Sequence, residues 1–319
     1  MKITAIKDYQ ENTTVQGFFL CLEKNRHTTK LGDYYLDLLL QDATGRIPAR
    51  VWDNVDHFSG LFEAGDPIAA KGVVENFRGS LQLNCTHIAK ATKERYGRYG
   101  FREELLVPTI TEDPRKLWES LRRLITGVRN KHLKGLLRTI FRTHKAAIME
   151  LPGSLNYHHP ERGGFLLHLV STGEIAAFLG DYYPRVDKDL LVCGTLLHDI
   201  GRVRAVTRTL EAEYTEEGQL VGYVVLGRDI VRAGIGDDDD FPADLALLLE
   251  HIILAHPGYS SKETPRHPRF PEALLVHMID DLDGKLDLMY RAIDNDTSEG
   301  SFTSARNYFR SLLFKQTGR

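Results

Sequence analysis

The sequence predicts a multidomain protein of β and α structure: a five-stranded barrel at residues 1–105, a basic helical connector at 106–150, and an all-α domain at 151–319. Three observations support this prediction. The length of 319 residues exceeds what one hydrophobic core usually organises. The apolar spacing changes from alternation to a helical period beyond the first segment. The formal charge is also uneven, because the three segments carry 0, +6 and −9 of the total of −3.

The composition excludes several classes of protein. Hydrophobic residues make up 42% of the chain and charged residues 27%, which is typical of a globular protein rather than a disordered one. No apolar run approaches the roughly 18–20 residues needed to cross a bilayer, and the first residues lack a signal-peptide core. The 3 cysteines lie far apart and predict neither a disulfide scaffold nor a zinc motif. We therefore expect a cytoplasmic protein with no membrane partner.

The first segment has the pattern of a small barrel. Short apolar or alternating runs are separated by turns such as Asp42-Ala43-Thr44-Gly45, and a helical insertion is expected near residues 55–62. The predicted strands are 15–23, 34–41, 47–52, 67–77 and 81–89. Five strands with one such insertion are typical of an OB-fold.

The spacing of residues between Gly32 and Trp52 resembles the OB-fold of nucleic-acid-binding proteins. The resemblance continues at Ala70-Lys71-Gly72 and at Gly79-x-Leu81. Such barrels bind single strands by stacking bases on exposed rings beside basic side chains. The resemblance therefore implies single-stranded RNA or DNA as a partner. The candidate contacts are Lys30, Tyr34, Arg50, Lys71, Phe77 and Arg78. In the alternative interpretation, Tyr34 and Trp52 belong to the barrel core and the charges form a solvated face.

The connector is predicted to be helical and cationic. Its apolar residues recur at spacings of three and four, and Pro114 after Asp113 is a favourable helix start. The segment carries 10 basic and 4 acidic side chains. A solvated helix face and a track for RNA or DNA both explain this excess.

The body carries His and Asp residues at chemically meaningful spacings in apolar helical segments. These are Gly163-Gly164 with His168, the pair His198-Asp199, His251 with His256, and His277 with Asp280. A buried His-Asp pair is costly without a partner, and a divalent cation is the natural partner. Imidazole and carboxylate together suit borderline or hard divalent ions, which activate water and polarise phosphoryl oxygens. The pattern predicts metal-dependent phosphoester hydrolysis.

This arrangement resembles the HD-domain superfamily of metal-dependent phosphohydrolases, an all-helical fold. The order of barrel, connector and body resembles that of the YhaM-type 3′-to-5′ exoribonucleases over nearly the whole chain. The motifs that carry this resemblance are Gly-Gly-x3-His, Leu-x-His-Asp-Ile-Gly and Asp280-Asp281-Leu-Asp283. The resemblance implies a nuclease that removes nucleotides from the 3′ end of RNA or single-stranded DNA. Its implied ligands for one divalent ion are His168, His198, Asp199 and Asp280. Manganese is favoured over Fe, Ni, Co, Zn or Mg.

Catalytic roles beyond the metal follow from the same resemblance. Arg202 stands where a lysine commonly follows His-Asp-x-Gly, and it can clamp a phosphate but cannot donate a proton. Asp199 is both a ligand and a catalytic candidate, and His158 or His159 is a candidate for phosphate contact or proton transfer. Asp281 and Asp283 are interpreted as solvent-facing or capping acids. The tail at residues 302–310 is expected to form a final capped helix.

Two positions depart from the pattern of two-metal HD proteins. Tyr223 and Pro257 stand where that pattern has histidines, so one ion is expected rather than two. His251, His256 and His277 are candidates for supporting contacts or a second metal. The departures leave two alternatives open: a single-strand-binding protein whose HD site has lost turnover, and a phosphohydrolase of free nucleotides. The sequence does not determine the oligomeric state.

Overall fold

The computed structural model describes residues 3–259 and 265–315 and divides them into two compact units. The first unit comprises residues up to Thr109 together with Thr209–Glu211, and the second comprises the remainder. Residues 106–109 of the predicted connector therefore lie in the first unit, and residues 110–150 lie in the second. No helix within the described residues is long and apolar enough to cross a membrane.

The first unit is a closed five-stranded barrel. Its strands are β1 (Thr14–Thr28), β2 (Tyr34–Asp42), β3 (Gly45–Val51), β4 (Pro67–Phe77) and β5 (Ser80–Lys90), with helix α1 (Val55–Ser59) between β3 and β4. The closed order is β1-β2-β3-β5-β4, and only the β3–β5 pair is parallel. This is the OB-type barrel that the alternation predicts, so the predicted fold class is confirmed for this part.

The barrel closes around alternate residues of each strand. Leu36, Leu38 and Leu40 of β2 are buried, together with Phe19 on β1 and Leu83 on β5. Strand β1 is longer than predicted because its second half, Glu23 to Thr28, is polar but still pairs with β2 as far as Tyr34. A bulge between Cys21 and Glu23 shifts the register, as expected where a strand bends around a barrel. A short helix, α2 (Lys93–Tyr96), follows the barrel.

The second unit is all-helical. Its helices are α3 (Pro114–Gly127), α4 (Lys131–Thr143), α5 (Lys145–Glu150), α6 (Gly164–Tyr182), α7 (Lys188–Leu197), α8 (Arg202–Ala205), α9 (Glu216–Leu220), α10 (Tyr223–Gly236), α11 (Ala243–Ala255) and α12 (Pro271–Asp294). Helices α3 and α4 are amphipathic and bury residues such as Leu121 and Leu137 in the same core as Leu169 of α6. Their basic residues, including Arg122 and Arg138, are exposed. Every residue from Leu190 to Leu197 of α7 is buried, as expected of a central helix that is apolar on all sides.

The expected helix at residues 302–310 is absent, and that prediction is wrong. The tail instead forms turns with an isolated bridge between Phe302 and Phe314. The Asp296 carboxylate accepts hydrogen bonds from Ser304 N at 2.9 Å and pairs with Lys315 Nζ at 2.6 Å. Such hydrogen bonds from a side chain to the backbone compete with helix formation, which explains why the tail forms turns instead of the predicted helix.

Candidate metal centre and barrel surface

The His198-Asp199 pair lies on the turn that follows α7. The turn continues into α8, and Arg202 N donates to the carbonyl of Asp199 at 3.0 Å. Gly201 packs directly on α10, where an added Cβ would overlap the carbonyl oxygen of Tyr223. Only glycine fits this close approach of two backbones, which fixes the position of the pair against α10.

A second glycine contact positions His168. Gly163 has a positive φ of 86° immediately before α6, and a Cβ on Gly164 would overlap the carbonyl oxygen of His159. The Gly-Gly sequence thus lets α6 begin against the loop that contains His159. His168 follows one turn later and is fully buried.

Three imidazoles are oriented by bonds from their Nδ1 atoms. Nδ1 of His168 lies 2.8 Å from Asp283 Oδ2, that of His198 lies 2.6 Å from the Thr195 carbonyl, and that of His256 lies 2.7 Å from the Ile253 carbonyl. Carboxylate and carbonyl oxygens only accept, so each Nδ1 carries a proton and each Nε2 is left to face the centre, where it presents a lone pair when the ring is neutral. The Nε2 atoms of His168 and His198 face each other at 3.3 Å.

Two carboxylates complete this arrangement. Asp280 Oδ1 lies 3.4 Å from His168 Nε2 and 3.6 Å from His198 Nε2. Asp199 Oδ2 lies 3.9 Å from His198 Nε2, and Asp199 Oδ1 lies 3.3 Å from His256 Nε2. The four predicted ligands therefore lie close together. His256 is near the Asp199 oxygen that is not the one near His198.

The donor set fits a divalent cation. One ligand atom from each of His168, His198 and Asp199 lies within 4.8 Å of the others, and all three residues are buried. Within the described residues, Asp199 Oδ1 and His256 Nε2 are buried without a hydrogen-bond partner. Imidazole Nε2 atoms directed at each other, beside buried carboxylates, form a donor set that suits a positive ion.

The electrostatics of the centre favour positive charge. Burial acts against the charged form of His198, but Asp199 and Asp280 outweigh it and raise the pKa of His198 to about 9. Burial likewise acts against ionisation of Asp199, yet Arg202 and His198 hold the pKa of its carboxyl well below the usual range. The pKa of Asp280 is also lowered, because the hydrogen bond and charge of His198 outweigh burial.

Arg202 is held inside the centre. Its Nε donates to Asp199 Oδ2 at 2.5 Å, and its guanidinium lies 4.5 Å from the centre of the Tyr223 ring. Burial opposes its charge, but Asp199 and Tyr223 outweigh this and raise the pKa of Arg202. The guanidinium therefore stays charged beside a predicted metal ligand, and Tyr223 serves as the surface on which it packs.

Asp283 is the buried residue that sequence reasoning missed. Its carboxylate accepts from His168 Nδ1, from His159 Nε2 at 2.8 Å, and from Ser171 Oγ. These bonds outweigh burial and lower the pKa of Asp283. The interpretation of Asp283 as a solvent-facing or capping acid is wrong, because it lies one turn after Asp280 on the inward face of α12. Asp281 is exposed and pairs with Lys285 at 2.7 Å.

The two loop histidines have different surroundings. The ring of His159 is held by Asp283, and its backbone N donates to Asp287 Oδ2 at 2.8 Å, so its contacts are those of a positioning residue. His158 instead borders the centre, with its ring 5.0 Å from that of His168. Its Nε2 is buried without a hydrogen-bond partner among the described residues. Burial, with the charges of His168 and Arg202, lowers the pKa of His158 to about 3, so this imidazole is neutral.

The remaining candidate histidines lie at increasing distance from the centre. Nδ1 of His277 donates to the carbonyl of His256 at 3.0 Å and so supports the segment that carries His256. His251 lies outside the cluster, where its Nε2 accepts from Arg269 N at 3.2 Å.

The barrel surface carries exposed rings with basic partners. Tyr34 and Phe77 are 52% and 56% exposed, and neither is part of the barrel core. The guanidinium of Arg26 lies 3.9 Å from the Tyr34 ring centre, and that of Arg78 lies 5.2 Å from the Phe77 ring centre. Both rings are suited to stack with bases, and Arg78 is suited to meet phosphates, whereas Arg26 already pairs with Asp56 at 2.7 Å.

The other predicted contacts are distributed around the barrel. Lys30 lies in the β1–β2 turn, and Arg50 pairs with Asp37. Lys71 borders a separate groove of about 480 Å³, whose walls include Tyr96 and Tyr99. The six candidates thus do not form one cluster.

A stacked aromatic pair, formed by a residue of β2 and the residue that follows β3, was not among the predicted contacts. Tyr35 stacks on Trp52 with ring centres 4.7 Å apart, and Trp52 is 44% exposed. The interpretation of Trp52 as barrel core is wrong. Its place at the end of a strand, where alternation no longer constrains it, gave no signal for its orientation.

Comparison with family models finds a match within the helical unit. The family model of the HD domain matches residues 165–285, which include His168, His198, Asp199, Asp280 and Asp283. This domain indicates the superfamily of metal-dependent phosphohydrolases. The match and the convergent His and Asp side chains together support a metal centre at this place in the fold.

Three solved structures resemble a smaller part of the chain. The second OB-fold domain of replication protein A from Methanococcus maripaludis is 21% identical, over 29% of this chain and 97% of that chain, with a TM-score of 0.25. PriB from Ralstonia solanacearum is 14% identical, over 26% and 100%, with a TM-score of 0.23. The mitochondrial single-stranded DNA-binding protein Rim1 from S. cerevisiae is 12% identical, over 26% and 97%, with a TM-score of 0.23.

Proposed function

We propose that this protein is a metal-dependent 3′-to-5′ exonuclease of single-stranded RNA that also accepts single-stranded DNA, as the YhaM-type enzymes do. The observation that carries the proposal is the co-occurrence of a buried His2Asp2 centre with a barrel that exposes aromatic–cation pairs. Release of mononucleotides from a labelled oligoribonucleotide with Mn²⁺, compared with an EDTA control, tests it directly.

The residues of the centre suggest how the reaction proceeds. His168, His198, Asp199 and Asp280 would hold one divalent ion, which supplies Lewis acidity and lowers the pKa of a coordinated water. Arg202 keeps its positive charge beside Asp199 and would stabilise the charge that develops on the scissile phosphate. The neutral His158 has a ring nitrogen without a hydrogen-bond partner among the described residues and would accept a proton from the attacking water, which it would then pass to the leaving oxygen. Asp283 orients the His168 ring and would keep its Nε2 directed at the ion.

The role of Asp283 leads to a prediction about metal affinity. Asp283→Asn weakens the acceptor that orients His168, so we expect Mn²⁺ affinity to fall about 10- to 100-fold. Titration calorimetry of the metal-free protein measures this directly. Asp281→Asn is the matched control, because Asp281 is exposed on the same helix and should leave the affinity unchanged. Equal affinities for the two variants would show that Asp283 does not orient a ligand.

The barrel surface leads to a second prediction. Trp52→Ala removes an exposed stacking ring, and base stacking on such rings contributes about 1–3 kcal/mol, so we expect the affinity for a single-stranded 12-mer to fall about 10-fold. Fluorescence anisotropy in EDTA measures binding without turnover. Phe178→Ala, on α6, removes an exposed ring from the helical unit and serves as the control, since Phe178 is 67% exposed and Trp52 44%. A similar loss in both variants would argue against the barrel as the binding surface.

A binding protein without turnover is the second candidate. Tyr223 and Pro257 favour it, since Tyr223 lies against His256 and Arg202 at a position where two-metal relatives have a ligand. This alternative expects tight, salt-sensitive binding of single strands and no product with any divalent metal.

A further inference from the structure

A cavity of about 570 Å³ lies in the helical unit, at the end of α12 that follows the predicted ligand Asp280. It is bounded by the end of α12, the loop before His158, and the C-terminal tail. Its lining includes Tyr157, Arg291, Asn295, Arg306 and Tyr308. This volume lies within the range of small-molecule sites and is large enough for a nucleotide.

The cavity has an aromatic wall. Tyr157 and Tyr308 are 57% and 53% exposed, and their ring centres lie 6.1 Å apart in an edge-to-face arrangement. Such exposed rings offer faces on which a base can stack.

The tail that carries Tyr308 is held by hydrogen bonds. Asn307 Nδ2 donates to the carbonyl of Ser304 at 2.9 Å and to that of Ser311 at 2.8 Å. Asp296 binds both Ser304 N and Lys315 Nζ. The cavity wall is therefore built by a defined loop rather than by a helix.

The two arginines of the cavity differ in their partners. Arg291 Nη1 donates to the Tyr157 carbonyl at 3.0 Å and lies 3.9 Å from Asp287, so it ties α12 to the loop. Arg306 is exposed and makes no ion pair with any of the described residues. A guanidinium without an acidic partner beside two rings is suited to a phosphate.

The cavity and the metal centre share one loop. Tyr157 lines the cavity, His158 borders the centre, and His159 bonds Asp283 and Asp287. Arg291 lies eleven residues after the predicted ligand Asp280 on α12, which is roughly 16 Å along the helix axis. That distance is longer than one nucleotide step, so the cavity suits a nucleotide further along the strand than the immediate neighbour of the scissile phosphate.

We propose that this cavity is a nucleotide subsite that receives a nucleotide of the substrate strand beyond the one that adjoins the scissile phosphate. Its base stacks against Tyr157 and Tyr308, and its phosphate meets Arg306. This inference rests on the proposed nuclease function and adds that the helical unit itself selects a polynucleotide over an isolated phosphodiester.

Steady-state kinetics on a single-stranded oligouridylate 12-mer with Mn²⁺ tests the subsite. We expect Arg306→Gln and Tyr308→Ala each to raise KM about 5- to 20-fold while kcat at saturation changes less than twofold, because stacking and phosphate contacts act on binding. Tyr308→Phe keeps the ring and should behave as wild type. Arg310→Gln, which changes an arginine of the same tail outside the cavity, should also leave KM unchanged.

The outcomes separate the subsite from the function it rests on. Wild-type turnover with unchanged KM in both test variants would overturn the subsite and leave the nuclease proposal standing. A KM increase of equal size in Arg310→Gln would also overturn the subsite, since KM would then depend on the overall positive charge of the tail rather than on a contact in the cavity. Absence of wild-type turnover on any strand would overturn both.

Discussion

Replacement of Asp199 by Asn is expected to abolish measurable Mn²⁺ binding and to lower phosphodiester turnover by about 10³-fold. Asp199 places one oxygen near His198 and the other near His256, and it carries the ion pair with Arg202. Asparagine keeps the volume but not the charge, so the guanidinium of Arg202 loses its anionic partner at the centre. The positive charge of the ion would then meet a neutral amide.

Metal-dependent thermal shift and turnover measure this effect together. Wild type should gain thermal stability on addition of Mn²⁺, because an ion that binds only the folded state stabilises it. Asp199→Asn should show no gain, whereas Asp281→Asn, which alters an exposed acid near the same centre, should respond as wild type does. A full Mn²⁺-dependent shift in Asp199→Asn would remove Asp199 from the ligand set.

Gly201→Ala is expected to destabilise the helical unit by about 3 kcal/mol. The added Cβ would overlap the Tyr223 carbonyl and approach the Gly227 backbone N, and no flexible side chain is available to move aside. The turn that carries His198-Asp199 would have to separate from α10. Stability and metal affinity should therefore fall together.

Urea unfolding followed by tryptophan fluorescence measures this change. The chain has 2 tryptophans, Trp52 in the barrel and Trp118 on α3, so a Trp52→Phe background reports on the helical unit alone. Gly135→Ala is the matched control, since a Cβ there meets no atom within 4 Å on α4 and should stabilise by up to about 1 kcal/mol. If Gly201→Ala and Gly135→Ala changed the free energy of unfolding equally, the backbone contact at Gly201 would not be a tight one.

Much of the fold follows from local patterns in the chain. The alternation of apolar and polar residues in β2 predicts which side chains face inward, because a half-buried strand must alternate. The polar half of β1 is not predicted as a strand, because its partner is another strand rather than the core. Helices α3 and α4 follow from their apolar spacing. The tail could not be predicted in this way, since Asp296 organises it through contacts with Ser304 and Lys315 further along the chain.

A residue of the candidate site can be predicted from the sequence where the chemistry of its side chain alone indicates its role. A His-Asp pair in an apolar run is costly to bury without a partner, so the sequence alone predicts His198 and Asp199 as ligands of a cation. Asp283 is not, because two acids three residues apart look alike until the loop carrying His159 and the helix carrying His168 are both in place. The place of His158 at the edge of the centre depends on the same tertiary contacts.

The proposed nuclease activity is tested most sharply by the product pattern from a 5′-labelled single-stranded oligoribonucleotide incubated with Mn²⁺ and resolved by length. We expect a ladder that shortens from the 3′ end one nucleotide at a time, no products in EDTA, and no products with Asp199→Asn. Internal cleavage fragments, or a strand that stays bound and intact in the presence of Mn²⁺, would contradict it.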